Sequence, residues 1–82
     1  MATFLRVMVE NLAINLRKYR RQMELTQAEL AARAAMHVDD VRKMERGQFS
    51  PTLLWVESLA LALNLGDAPW VLLLPAVKRR KQ

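Results

Sequence analysis

"LTQAELAARAAMHVDDVRKMERG", residues 25–47, carries two helical patterns in different phase, with no glycine until its last position. The first is started by local chemistry. Thr26 is placed to cap, Glu29 three residues on can reach back to the cap's own backbone, and Leu25 with Leu30 can form the hydrophobic staple around them. This helix runs to about Arg33, only about two turns. The apolar pattern restarts at Val38, Val41 and Met44, so a turn lies between, and Gly47 closes the second pattern as a left-handed cap.

Outward from this pair the chain stays helical. Leu5, Val9, Leu12, Leu16, Tyr19 and Met23 draw one apolar stripe on a first helix from about residue 3 to 22. After "QFSPT", Ser50 or Thr52 caps a fourth helix that reaches about Leu63, with Pro51 in or just before its first turn. Asp67-Ala68-Pro69 can start a short fifth helix, "WVLLL", which Pro75 stops. No strand or repeat pattern is present. The expectation is an all-α, compact five-helix domain over residues 1–77 with an extended first helix, followed by a basic tail at 78–82.

The totals bound the function. Eighty-two residues, 52% of them hydrophobic, make one domain. A chain this short buries roughly 60% of its unfolded surface, so self-association is a welcome source of burial. It has no cysteine, which fits a reducing compartment. Arg6 and Glu10 interrupt "MATFLRVMVE" as a signal core, and no run approaches the roughly 20 apolar residues of a membrane span. A cytoplasmic protein with no membrane partner is expected. The net charge of +5 comes mostly from the tail: Lys78, Arg79, Arg80 and Lys81 are four of the 13 basic residues, leaving nine against eight acidic ones in residues 1–77. Charge clusters matter more than the total, and they are "RKYRR" (17–21) and "RKMER" (42–46).

Taken in order, "LRKYR" (16–20), "LTQAELAARA" (25–34), "VRKMERG" (41–47), "SPTL" (50–53) and "LALAL" (59–63) resemble the phage-repressor, Cro-type (XRE) family of helix-turn-helix DNA-binding domains, over about residues 12–72. The resemblance implies that the second helix crosses the DNA backbone, its first-turn amides and Gln27 on phosphate oxygens. It implies that the third helix enters the major groove with His37, Val38, Asp39, Arg42 and Lys43 facing the bases. There Lys43 can read guanine, Asp39 can accept from a cytosine amino group and Val38 can touch a thymine methyl. Gln48 and Ser50 are candidate phosphate contacts. Arg20 and Glu45 would form a partly buried ion pair joining the third helix to the first.

Simpler roles stand beside these. Gln27 can be an ordinary polar residue of a first turn, Arg42 and Lys43 a solvated face, and His37 a helix cap. Asp39 and Asp40 favour the helix dipole by about 0.3 to 1 kcal/mol each. Arg17, Lys18 and Arg21 read as solvated, with a reach to the DNA backbone open to some of them. The family usually has glycine at positions 24 and 35, where this chain has Glu24 and Ala35, so each turn either costs roughly 1 kcal/mol or is built differently. One histidine and no cysteine give no metal site, and no cofactor is expected. Without a nucleophile, base and orienting acid, or a glycine-rich phosphate loop, an enzyme is not expected.

The fourth helix is apolar on two sides. Leu53, Val56, Leu59, Ala60 and Leu63 form the expected inner face, while Leu54, Trp55 and Leu61 fall where the family is usually polar, with Trp70 close by in sequence. Either the N-terminal extension covers this surface or a second copy does, and a homodimer through Leu54, Trp55, Leu61 and Trp70 is the favoured reading. The chain looks similar to the stand-alone controller proteins of mobile elements and restriction systems. The resulting expectation is a dimeric, sequence-specific transcriptional regulator of an operator in double-stranded DNA, open to autoregulation and to contact with polymerase. The alternative is a protein-interaction module on the same fold, an antiactivator or antitoxin-like partner.

Overall fold

The computed structural model describes residues 2–76, with side chains from Leu5 onward; the basic tail therefore lies outside the described residues. Four α-helices, α1 (Ala2–Gln22), α2 (Gln27–Arg33), α3 (Val38–Glu45) and α4 (Leu53–Ala62), are followed by a 3-10 segment, Pro69–Leu73. No strand occurs among the described residues.

The short fifth helix expected here is a 3-10 segment and not a fifth α-helix. Pro69 opens the segment and Pro75 follows it closely, leaving five residues, too few for an α-helical ladder. Its i to i+3 bonds run from the Val71 amide to the Ala68 carbonyl at 3.0 Å and from the Leu74 amide to the Val71 carbonyl at 3.2 Å. The carbonyls it leaves over are taken by α1. Asn15, itself buried, donates through Nδ2 to the carbonyls of Leu72 at 3.0 Å and Leu74 at 2.9 Å. Asn11 accepts from the Ala76 amide at 3.2 Å.

The capping box of α2 is complete: the Thr26 hydroxyl accepts from the Glu29 amide at 3.0 Å, and Glu29 Oε1 accepts from the Thr26 amide at 2.8 Å. Thr52, not Ser50, caps α4, accepting from the Trp55 amide at 3.3 Å. His37 occupies the cap position of α3 without a side-chain bond to it.

All four helices end in the same way, with one left-handed residue and paired 6→1 and 5→2 amide bonds. At α1, Leu25 bonds back to Arg20 at 3.1 Å and Glu24 to Arg21 at 2.9 Å; at α2, Met36 bonds to Ala31 at 2.9 Å and Ala35 to Ala32 at 3.2 Å. At α3 the pairs are Gln48 to Lys43 (2.9 Å) and Gly47 to Met44 (3.1 Å), and at α4 Leu65 to Ala60 (2.6 Å) and Asn64 to Leu61 (3.1 Å). The left-handed residues are Glu24 (φ 57°), Ala35 (φ 57°), Gly47 (φ 70°) and Asn64 (φ 62°). The α1–α2 and α2–α3 turns therefore keep the left-handed geometry without glycine, at a conformational cost of about 1–2 kcal/mol for each side chain.

The core is built from Leu12 and Leu16 of α1, Leu30 and Ala31 of α2, Val41 and Met44 of α3, Val56, Leu59 and Ala60 of α4, and Leu72 of the 3-10 segment. Only the middle of the α1 stripe is dry: Leu5 is exposed, while Tyr19 and Met23 are half-buried against the core. Leu53, expected on the inner face of α4, is 80% exposed. It is the first residue of the helix, and a helical side chain leans toward the N-terminus, which carries Leu53 past the end of the packed face.

Candidate nucleic-acid interface

The outward face of α3 is held in place by a buried network centred on Glu45. Arg20 grips the carboxylate with a two-pronged fork, Nε to Oε2 at 2.7 Å and Nη2 to Oε1 at 2.9 Å, and its Nη1 donates to the Leu25 carbonyl at 2.9 Å. Both side chains are withdrawn from water, Arg20 at 11% and Glu45 at 2% exposure. Gln27 adds a third bond, Nε2 to Glu45 Oε1 at 3.0 Å, so this side chain spans α2 and α3 instead of projecting from the first turn of α2. The backbone end of the same residue is held as well: the Arg17 guanidinium donates to the Glu45 carbonyl. Arg17, expected to be solvated, is half-buried and fastens the C-terminal end of α3 to α1. No buried side-chain nitrogen or oxygen among the described residues lacks a partner.

With α3 clamped at Glu45, its other side faces out. His37, Asp39, Arg42 and Lys43 are exposed; Val38 is half-buried against the core and presents little surface. Arg42 Nη1 meets Asp39 Oδ1 at 3.0 Å, an exposed i, i+3 pair with side chains 48% and 76% accessible. Such a surface pair contributes about 0–1 kcal/mol, so Arg42 can leave it for a stronger partner at small cost. Beyond α3, Gln48 and Ser50 are exposed, and Gln48 Oε1 accepts from Arg46 Nε at 3.1 Å. The structure thus brings Asp39, Arg42 and Lys43 onto one exposed face, with His37 exposed at the cap position before them. It directs Gln27 to Glu45 and Val38 to the core.

Two short helices joined by a left-handed turn, the second locked to the scaffold by its inner acid and bare on its outer face, are the elements of a helix-turn-helix. Residues 11–70 match the helix-turn-helix domain family.

The chain belongs to the helix-turn-helix domain family.

A relative from Methanothermobacter thermautotrophicus, described as an uncharacterized HTH-type transcriptional regulator, is 35% identical over 49 residues, which span 60% of this chain and 71% of the relative. No solved structure matches the chain. The matched residues begin at 11, so the first turns of α1 lie outside the helix-turn-helix match.

The second face of α4 is mostly apolar, with Glu57 its one charged side chain. Leu53, Leu54, Leu61 and Trp70 are 80%, 67%, 62% and 59% exposed, and an open groove lined by Leu53, Leu54, Glu57, Pro69, Trp70 and Leu73 runs between α4 and the 3-10 segment. Trp55 is half-buried, its ring 5.3 Å from that of Phe49 and packed against the core. Among the described side chains, the first turns of α1 border the loop after α3 and reach Leu73, and none of them lines this groove. No helix among the described residues is long and apolar enough to cross a membrane, and no group of side chains there is arranged to hold a metal.

Proposed function

We propose that the protein is a sequence-specific, DNA-binding transcriptional regulator of the phage-repressor, Cro-type class, in which α3 reads the major groove. The observation that carries this reading is the division of α3: Glu45 is fastened by Arg20, Gln27 and Arg17, while Lys43, Arg42, Asp39 and His37 are bare on the opposite side. A rigid mount behind and donors in front are what base-edge recognition requires. Lys43 is assigned to guanine; Asp39, released from Arg42, accepts from a cytosine amino group. Gln48, Ser50 and the α2 start hold phosphates. Gln27 acts mainly by orienting α3.

The active form in this reading is a homodimer, joined through Leu54, Leu61 and Trp70, with the exposed Leu53 in place of Trp55, which packs against the core, because four large apolar side chains open to water favour burial against a second copy. A two-fold pair then reads half-sites about one helical turn apart. Autoregulation of its own promoter fits a small single-domain regulator. The second reading, a protein-interaction module, is favoured by the Asp39–Arg42 pair, which lowers the charge of the α3 face.

Selection of duplexes from a random-sequence library separates the two. A DNA reader enriches a two-fold symmetric site whose affinity falls steeply with salt through counterion release. An interaction module enriches nothing and binds every duplex equally weakly.

A further inference from the structure

We infer that the first turns of α1, outside the helix-turn-helix match, form with the loop after α3 a second site for a DNA backbone phosphate. The inference rests on the DNA-binding reading and extends it beyond the α2–α3 unit. An open groove of about 500 Å³ runs between Leu5, Arg6, Val9 and Glu10 of α1 and Arg46 to Ser50 of the loop. Two arginines from separate elements, Arg6 and Arg46, line it and are both exposed. Arg6 makes no ion pair among the described residues, although Glu10 sits one helical turn away on the same groove. Arg46 spends only Nε, on Gln48, leaving its terminal nitrogens directed to no partner among the described residues. Gln48 and Ser50 complete the wall with an amide and a hydroxyl.

Two arginines and neutral donors on the walls of one groove suit a phosphodiester, which needs several N–H or O–H donors and tolerates no buried acid beside it. Glu10 is the one acidic side chain of the groove and weakens the site without closing it. The groove also adjoins the loop that follows α3, so a phosphate in it lies next to the base pairs α3 reads. Arg6 then adds contact to the flanking backbone and no base preference.

The test is an anisotropy titration of the full chain on a duplex selected from a random library and on a mixed-sequence duplex, between 50 and 200 mM salt. Arg6→Ala and Arg46→Ala should each weaken binding to both duplexes alike and leave base preference unchanged. One lost phosphate contact lowers the salt slope by about 0.9 per protomer, or about 1.8 for a dimer on its site, so across that range the wild-type advantage shrinks about 3.5-fold for a single bound protomer and about 12-fold for a dimer. Arg6→Lys should restore most of the slope and Glu10→Gln should raise affinity. A neutral methylphosphonate at the flanking position should erase the difference between wild type and Arg6→Ala. Wild-type slopes for Arg6→Ala and Arg46→Ala, with circular dichroism showing a folded chain, overturn the site while leaving α3 recognition standing. If the wild type binds neither duplex, both this site and the DNA-binding reading fall.

Discussion

The guanidinium of Arg20 holds both carboxylate oxygens of Glu45, at 2.7 and 2.9 Å, with Glu45 only 2% exposed. This bond sets the angle of α3 on α1. Removing one partner strands the other charge in a dry site, and the expected loss is about 3–5 kcal/mol for Arg20→Ala or Glu45→Ala. Chemical denaturation of each single variant and of the double variant checks it. The double variant should be less destabilised than the two single losses added together; simple additivity would contradict the coupling.

Ala35 and Glu24 sit at φ 57° with helical carbonyls bonded around them. Glycine relieves the left-handed strain and leaves the bonds, so Ala35→Gly should raise stability by about 1 kcal/mol, or about 4–8 °C in Tm for a domain of this size. A lower Tm for Ala35→Gly would mean that the turn is not under strain. Gly47→Ala should do the reverse: its left-handed φ of 70° is strained for alanine, although a Cβ there meets nothing within 4 Å.

Asn15 ties the 3-10 segment to α1 through three carbonyls. Leucine at this position fills similar space but leaves the buried Leu72 carbonyl without its donor, at a cost of about 1–3 kcal/mol, while the Leu74 carbonyl, at an exposed residue, can turn to water. Hydrogen exchange of the Asn15→Leu variant should show early loss of protection at Val71 and Leu74. Unchanged protection there would show that apolar packing of Leu72 alone holds the segment.

How much of this was legible in the sequence depends on where each partner lies. Thr26 and Glu29 sit three residues apart, and their reciprocal bonds could be read from spacing alone. The Arg20–Glu45 pair spans 25 residues and came within reach only through resemblance to a family. Asn15 carries no signal in the sequence and Arg17 reads as solvated, because their acceptors are distant backbone carbonyls, which leave no mark on side-chain patterning. Leu53 was misplaced because periodicity assigns a face without knowing where the packed length of the helix begins. The outer face of α3 was legible as a set, apart from Val38, whose spacing suits either the groove or the core.

The Glu29 carboxyl is pulled below its ordinary pKa of 4.5, chiefly by the Thr26 amide and then by the Thr26 hydroxyl-side contact. A depressed pKa means stability that is present above the ordinary value and lost as pH falls through the depressed one. The stability difference between wild type and Glu29→Gln should therefore be constant near neutrality and narrow below about pH 4.5. A difference that does not change with pH would show that the capping box is insensitive to the charge of Glu29.

The apolar face of α4 makes a prediction of its own. Sedimentation of the wild type should give a dimer at micromolar concentration, and Leu54→Glu with Leu61→Glu should give a folded monomer. Each is more than 60% exposed, so the change removes no core contact. A monomeric wild type would end the dimer assignment.

The central claim is that α3 reads base edges through Lys43. The most direct measurement is anisotropy titration of wild type and Lys43→Ala against the library-selected duplex and each of its single base-pair variants. Wild type should discriminate at every specified position, and Lys43→Ala should lose about 1–3 kcal/mol of preference at one guanine while the other positions keep theirs. If wild type binds the selected duplex no better than a mixed sequence, and Lys43→Ala changes no position, α3 is not a reading head.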